Sequence, residues 1–560
     1  MSPEKIRETL NNLDIRPDEI QDQSLRSAVT ILLNLVEKIY ADYNKTIEEN
    51  QQLKDEINLL KGEQAKPVIA GSKKKENKNE SSEKERKERQ PAEEKKPKNK
   101  KDKIIPDRAE KCPVDKSILP ADAEFKGYQS VMVQELIIKT ENIEYQKEVY
   151  YSHSENRTYI GQLPAGIKGG YGPGVISYIY TQKHSVNVSE PKITEFLNNA
   201  GIFISQPTVS RFLTKDIDVF HEEKFDIFQA GLCSTTYQQI DDTSTTVKGD
   251  NQYVQILCNP YYTAFFTVPK KDRLSIIDIL LCGSERFYFF NEQAFDLLQT
   301  FRVSNKMINQ LQSKVADQIL DENQLQAVFE TLYSDPAKGK IQRARIKEAA
   351  AIAAYHNQTV SPIIQILLSD DARQFKNITK EQGLCWVHDG RLYKKLHPIV
   401  PLNTKKLNAF LQRYWDYYAC LLEYKQHPNQ DKADKLSTQF DELFSTQSGY
   451  QALDDRIAKT KAKKSELLLV LKYPELPLHN NASELAARVE KRKQDVSLQT
   501  ITEEGTKSKD TFLTICQTAK KLGVSTYEYI YDRVSKKFKM PSLASLIEAK
   551  TSENNCFDTS

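Results

Sequence analysis

The chain has 560 residues, enough for several domains with a large core. Its 80 lysines and arginines against 77 aspartates and glutamates leave a net charge of +3, a balance that points to no partner. No apolar run is long enough for a signal peptide or a membrane span, and eight scattered cysteines without a CxxC exclude a disulfide framework and a complete zinc finger; a non-secreted, cytoplasmic protein is expected.

Residues 20–64 predict one long helix. Val29, Val36, Tyr43, Asn50 and Ile57 take heptad a positions, and Leu32, Ile39, Leu53 and Leu60 take d positions, with Thr46 as the polar interruption. Five such heptads predict a coiled coil and self-association, with Asn50 fixing the register. Residues 65–108 are a lysine-rich linker with almost no apolar side chain, unable to bury a core. From 109 to 165, "QSVMVQELIIKT" and "IEYQKEVYYS" alternate as strands of a small β module, and "LPAGIKGGYGPG" is a glycine-rich hinge.

Residues 166–230 include a helix from Glu190 to Asn198, a turn at Gly201 and a second helix running through Thr208 to Leu213. That is a helix-turn-helix pattern, with Thr208, Ser210 and Arg211 on the exposed face for DNA. Three strands follow, "TYQQIDDTSTTV", "NQYVQILCN" and "YTAFFTVP", then a helix at "RLSIIDILLC". A helical stretch spans about 285–360. "SPIIQILLSDDARQF" reads as a buried strand ending in two acids, "GLCWVHDGRLYKKLHP" as a strand leading into a helix, and 400–472 as amphipathic helices. "PLHNNASELAARVEKRKQDV" opens a basic helix with one acid, Glu484, in its first turn. "KDTFLTICQTAKKLG" and "STYEYIYDRV" supply helices in the last segment, 501–560.

Asp241 lies within the first strand, Asp370 closes the later apolar strand and Glu484 opens the basic helix. Acids in that order suit an α/β, RNase H-like core over 231–500 with helical insertions, where adjacent strand ends gather residues distant in sequence. Clustered carboxylates provide the oxygen ligands a pair of Mg²⁺ ions needs, with Mn²⁺ as the alternative ion. Each acid also has a plain structural use, as a turn residue or a helix-capping charge. Asp242 and Asp371 stand beside two of them as equal candidates.

The series "IDDTSTTV", "LLSDDARQF", "GLCWVHDGR" and "LPLHNNASELAARVEKRK", with "FLTICQTAKKLGVSTYEYIYDRV" after it, resembles the insertion-sequence-66 family of bacterial DDE transposases. The resemblance covers about 110–535 and implies that Asp241, Asp370 and Glu484 are the catalytic, metal-binding acids. It also implies that Cys385 to His388 is the family's CxxH element. As half a zinc site with no visible second half, that element is expected to serve packing and local hydrogen bonding, and zinc is not expected. The chain departs from the family in keeping only Cys112 of a paired-cysteine module, which makes 109–165 degenerate and zinc-finger-like. It also has His479 before the paired asparagines, Asp242 where Glu is common, and the extra helical stretch.

The implied activity is DNA transposition by terminal-inverted-repeat binding, 3′-end cleavage and strand transfer into target DNA, at the nucleoid, with small accessory proteins of the element. Arg488 and Lys491 share a helical face with Glu484, and with Arg492 they are expected to hold DNA phosphates. Two rivals are a catalytically silent, transposon-derived DNA-binding scaffold and a nuclease that cuts without joining.

Overall fold

The structure, a computed structural model, describes residues 17–60, 105–120, 123–125, 127–333 and 338–557, together with Thr9 and Asp335. The linker predicted at 65–108 lies outside these residues except at its end. The fold is mixed α/β. By contacts the chain divides into a larger unit of Met1–Lys78, Pro164–Ile193 and Gln206–Ser560, and a smaller one of Asn79–Leu163 and Thr194–Ser205.

In the larger unit the chain begins with α1 (Gln23–Leu60), the predicted long helix. Its first half packs on the chain's own core. Leu33 is buried against Ile399 and Val400, with Val29, Val36 and Tyr40 beside it. Glu37 is buried there too, accepting hydrogen bonds from the amides of Ile399 (3.1 Å) and Val400 (2.9 Å) and from Asn403 Nδ2 (3.1 Å). Two a positions of the heptad pattern are thus occupied within the chain. Leu32, Ile39, Tyr43, Leu53 and Ile57 are exposed.

The smaller unit holds a hairpin of β1 (Val149–Ser152) and β2 (Arg157–Ile160). The alternating run at 129–140 forms no strand, contrary to its pattern. Alternation makes a strand only where a partner takes its backbone N–H and C=O groups, and here Val131, Val133, Leu136, Ile137 and Ile138 stay exposed.

Helix α2 (Pro173–His184) opens on the proline that favours a first turn. The helix-turn-helix pattern then appears as α3 (Glu190–Asn199), which crosses the division between units, and α4 (Gln206–Thr214). Val209, Phe212 and Leu213 are the buried face of α4. Helix α5 (Asp218–Cys233) leads into the main sheet.

Strands β3 (Tyr237–Val247), β4 (Asp250–Cys258) and β5 (Thr263–Val268) form an antiparallel meander. Its first turn is Lys248–Gly249, both at positive φ (51° and 88°), as a tight two-residue hairpin requires. Helix α6 (Arg273–Leu280) follows. The stretch after it contains β6 (Tyr288–Phe289), α7 (Glu292–Thr300), α8 (Asn305–Val315), β7 (Ile319–Leu320), α9 (Glu322–Leu332) and α10 (Lys340–Asn357). A buried Arg273–Glu348 ion pair (2.7 Å) joins α10 to α6.

The chain re-enters the sheet at β8 (Ile366–Ser369) and β9 (Glu381–Leu384). The strand order is β5-β4-β3-β8-β9, with β3, β8 and β9 mutually parallel. Helix α11 (Trp386–Lys394) leads to α12 (Pro401–Gln426), α13 (Gln430–Leu443), α14 (Gln451–Lys461) and α15 (Lys464–Leu467). Trp386, Tyr414, Tyr417, Phe440 and Phe444 form the aromatic centre of this group. Helices α16 (Asn481–Ser497) and α17 (Glu503–Leu522) cover the sheet, burying Ala486 and Leu513 against Val254, Ile256 and Phe265. The chain ends with α18 (Thr526–Val534) and a further helix, α19 (Leu543–Phe557).

Candidate active site

Neighbouring strand residues point to opposite faces of a sheet, so Asp241 and Asp242 part company. Asp241 pairs across β4 with Ile256, which packs under α16, the helix that carries Glu484. Asp242 is drawn instead to Lys271 (2.5 Å) and Gln374 Nε2 (2.7 Å). The second pair divides likewise. The parallel register Tyr237↔Ile366 and Gln239↔Leu368, continued by two residues, sets Asp370 beside Asp241. Asp371 is taken by Lys376 (2.6 Å) and Lys463 (2.5 Å). Burial works to raise its carboxyl, but the hydrogen bonds and charges of the two lysines hold it below the ordinary range.

Among the described residues neither Asp241 nor Asp370 is ion-paired. Asp370 Oδ1 accepts the amide of Ala372 (3.0 Å), and Asp241 Oδ1 accepts the amide of Asp242 (2.8 Å). The Asp241 carboxyl is pushed up to about 7, first by burial and then by the charges of Asp370, Asp242 and Glu484, against the one amide that stabilises its charge. A carboxylate in this state stands among like charges and has no cation of its own.

Helix α16 is fastened to β3 at its start and again farther along. Asn480 Nδ2 donates to the carbonyl of Ile240 (2.7 Å), next to Asp241. The Lys491 ammonium donates to Ser244 O (2.7 Å), Ser244 Oγ (3.1 Å) and Gln494 Oε1 (3.0 Å). Asn480 occupies the N-cap position but makes no side-chain cap; its amide group joins helix to strand instead. Glu484 lies in the first turn, where a negative charge suits the helix dipole.

Helix α11 supplies what surrounds Glu484. Arg391 donates from Nη1 (3.3 Å) and Nη2 (3.4 Å) to Glu484 Oε2, and its Nη1 lies 3.4 Å from His388 Nε2. His388 Nδ1 is 3.7 Å from Glu484 Oε1, and Arg488 Nη2 is 3.8 Å from Oε2. Burial holds the His388 ring below its usual range despite the attraction of Glu484. The buried Cys385 sulfur accepts the amide of Asn480 (3.3 Å); burial pushes its thiol up to about 11, with amide hydrogen bonds from His388, Asn480 and Val387 opposing. Among the described residues, one donor atom each from Cys385, His388 and Glu484 lie within 4.8 Å of one another.

The register therefore sets Asp370 beside Asp241, and both Asp370 and Glu484 act electrostatically on Asp241, although among the described residues the donor atoms of the three acids do not all lie within 4.8 Å of one another. Arg488 and Arg492 are exposed on α16; Lys491 is exposed yet tied to Ser244. Thr208, Ser210 and Arg211 lie apart from the acids, on α4, with Arg211 exposed and the other two half-buried. Sequence reasoning missed Arg391, Lys271 and Lys463. Arg391 sits three residues after His388, one helical turn on, and that spacing was the available signal.

No helix among the described residues is long and apolar enough to cross a membrane. A family model described as "Transposase IS66 family" matches residues 306–508, a span that contains Asp370 and Glu484. The uncharacterized protein y4jO of Sinorhizobium fredii is 31% identical over 327 residues, which are 58% of this chain and the whole of that protein. With these two likenesses, the family model spanning a segment that carries two of the three acids, the chain belongs to the IS66 family of transposases.

Proposed function

We propose that the chain catalyses transposition itself. It binds the terminal inverted repeats of its element, cuts the 3′ ends with water and joins each freed 3′-hydroxyl to target DNA. The observation that carries this reading is that Asp370 stands in register beside Asp241 and that Asp241, raised first by burial, is raised further by the charges of Asp370 and Glu484. The strand order, an antiparallel meander whose first strand runs parallel to two later ones, supports an RNase H-like core.

The donor set is all oxygen, which suits Mg²⁺ or Mn²⁺, and uncompensated like charge gives a cation reason to bind. Asp241, Asp370 and Glu484 would hold the ions. Bound there, a divalent pair supplies charge stabilisation at the attacking and leaving oxygens of a phosphodiester. Arg488 and Arg492 are placed to hold DNA phosphates beside Glu484. Lys491 can join them only by releasing Ser244, because all three of its ammonium hydrogens are engaged. Arg211, Thr208 and Ser210 on α4 are the proposed contacts to the terminal repeats. The exposed apolar positions Leu32, Ile39, Tyr43, Leu53 and Ile57 of α1 support pairing with a second copy.

The test is cleavage and joining of labelled terminal-repeat DNA with Mg²⁺. Losing one ligand of a metal that supplies several kcal/mol of stabilisation corresponds to at least about 10²-fold. Glu484→Gln is expected to lose that much of both reactions while still binding the repeat. Undiminished joining by the variant would sink the reading, and binding without any cleavage by the parent would favour the silent scaffold.

A further inference from the structure

We infer that Cys385, His388 and Glu484 form a site for a thiophilic divalent ion, zinc in the first instance, that takes Glu484 away from the two aspartates. Cys385 ends the turn before α11 and His388 falls in that helix's first turn, so CxxH spacing turns both donors to one side. Alone they are half a zinc site. The fold adds Glu484 from the start of α16, and the three donor atoms come within 4.8 Å of one another. Tetrahedral zinc with bonds of about 2.0–2.3 Å places its ligand atoms roughly 3.3–3.8 Å apart. The His388 Nδ1 to Glu484 Oε1 separation is 3.7 Å.

Two further observations point to a ligand. The Cys385 sulfur accepts amide hydrogen bonds from Asn480, His388 and Val387, which oppose the burial that keeps the thiol protonated and would stabilise a metal-bound sulfur. His388 Nδ1 is buried and has no hydrogen-bond partner, while Arg391 is at the ring's other nitrogen. Sulfur and imidazole donors select zinc, cobalt or cadmium over magnesium. On binding, a metal–sulfur bond replaces the S–H bond and the thiol proton leaves to solvent. A metal on Nδ1 puts the ring hydrogen on Nε2, so Arg391 turns from the ring and keeps Glu484 Oε2.

The consequence rests on the proposed function; the site does not. An ion held through Oε1 commits Glu484 to α11, and the aspartates lose their third partner. Zinc then acts as an inhibitor that competes with magnesium for one shared carboxylate.

Cobalt(II) alone, added to the full chain, is the probe. A sulfur-to-cobalt charge-transfer band is expected, saturating at about one ion per chain and displaced by zinc. It should vanish in Cys385→Ser and weaken at least about tenfold in affinity in His388→Gln, whose half-exposed site tolerates the change. It should persist in Asp241→Asn, which separates failure of this site from failure of the catalytic reading. Absence of the band overturns the proposal, and so does its survival in Cys385→Ser, since exposed Cys112, Cys233 or Cys420 would then be the ligand. With terminal-repeat DNA and magnesium, saturating zinc is expected to slow cleavage at least about tenfold in the parent, relative to its own zinc-free rate. Cleavage indifferent to zinc overturns the claim on Glu484.

Discussion

Helix α16 carries buried or half-buried charge at both ends, and the ends are handled in opposite ways. Toward its C-terminus, Glu490 is fully buried, and its Oε1 receives Lys509 (2.7 Å) and Gln494 (3.1 Å). Lys493 sits beside it, pushed down to about 7 by burial and then by Lys183, with its amine on the carbonyl of Lys183 (2.7 Å). There the protein brings its own counter-charge. At the N-terminus Glu484 meets cations, yet Asp241 across from it meets the charges of other acids. A buried charge that is paired internally belongs to the fold, and one left among like charges awaits something from outside.

The comparison breaks most visibly at its closed end. Lys509→Ala strands Glu490 in the core and should lower stability by about 3–5 kcal/mol, read by urea unfolding at pH 7. A loss under about 1 kcal/mol would mean the pair is dispensable.

The open end should respond with the reverse sign. Asp241 has its folded value raised to about 7 from an ordinary one near 3.9. The folded chain therefore binds this proton more tightly than the unfolded chain. Stability without metal falls as pH rises from about 4 to 7 and levels off above, by a few kcal/mol at about 1.4 per unit. Asp241→Asn should abolish that fall and be the more stable protein at pH 8 in chelator. Magnesium should then stabilise the parent and leave the variant behind, by about 2.7 kcal/mol at a hundred times the dissociation constant. Parallel pH profiles for the two proteins would refute the like-charge account.

The smallest effect belongs to the neighbouring acid. Asp371 is half-exposed between two lysines, so Asp371→Asn should cost less than about 1 kcal/mol in the same unfolding measurement. It should also keep DNA cleavage where Asp370→Asn loses it.

The sequence carried the order of strands and acids because hydrophobic runs and turn residues are local signals. The apolar run before Asp370 marked a buried strand. The choice between adjacent aspartates was not local. It depended on which face of β3 is covered by α16 and on lysines at 271, 376 and 463 arriving from other elements. The run at 129–140 failed for a related reason, since its alternation says nothing about a partner strand. In α1 the heptads were visible, but occupation of Val29 and Val36 by residues near 400 was a tertiary fact. The CxxH element was readable only as half a site because its third donor stands at the head of a helix far downstream.

Two of the ties between α16 and β3 bear on how readily the acids would accept the proposed ion. Asn480 holds the carbonyl next to Asp241, and Lys491 holds Ser244 farther along the same strand. The backbone positions of the first and third acids are therefore settled when the chain folds. An ion bound as proposed would have only side-chain rotations left to order, above all a turn of Glu484 from Arg391 toward the aspartates. On those proposals selectivity would be kinetic as well as thermodynamic: an arriving ion would meet a nearly finished scaffold, and one rotamer would decide which set of ligands closes around it.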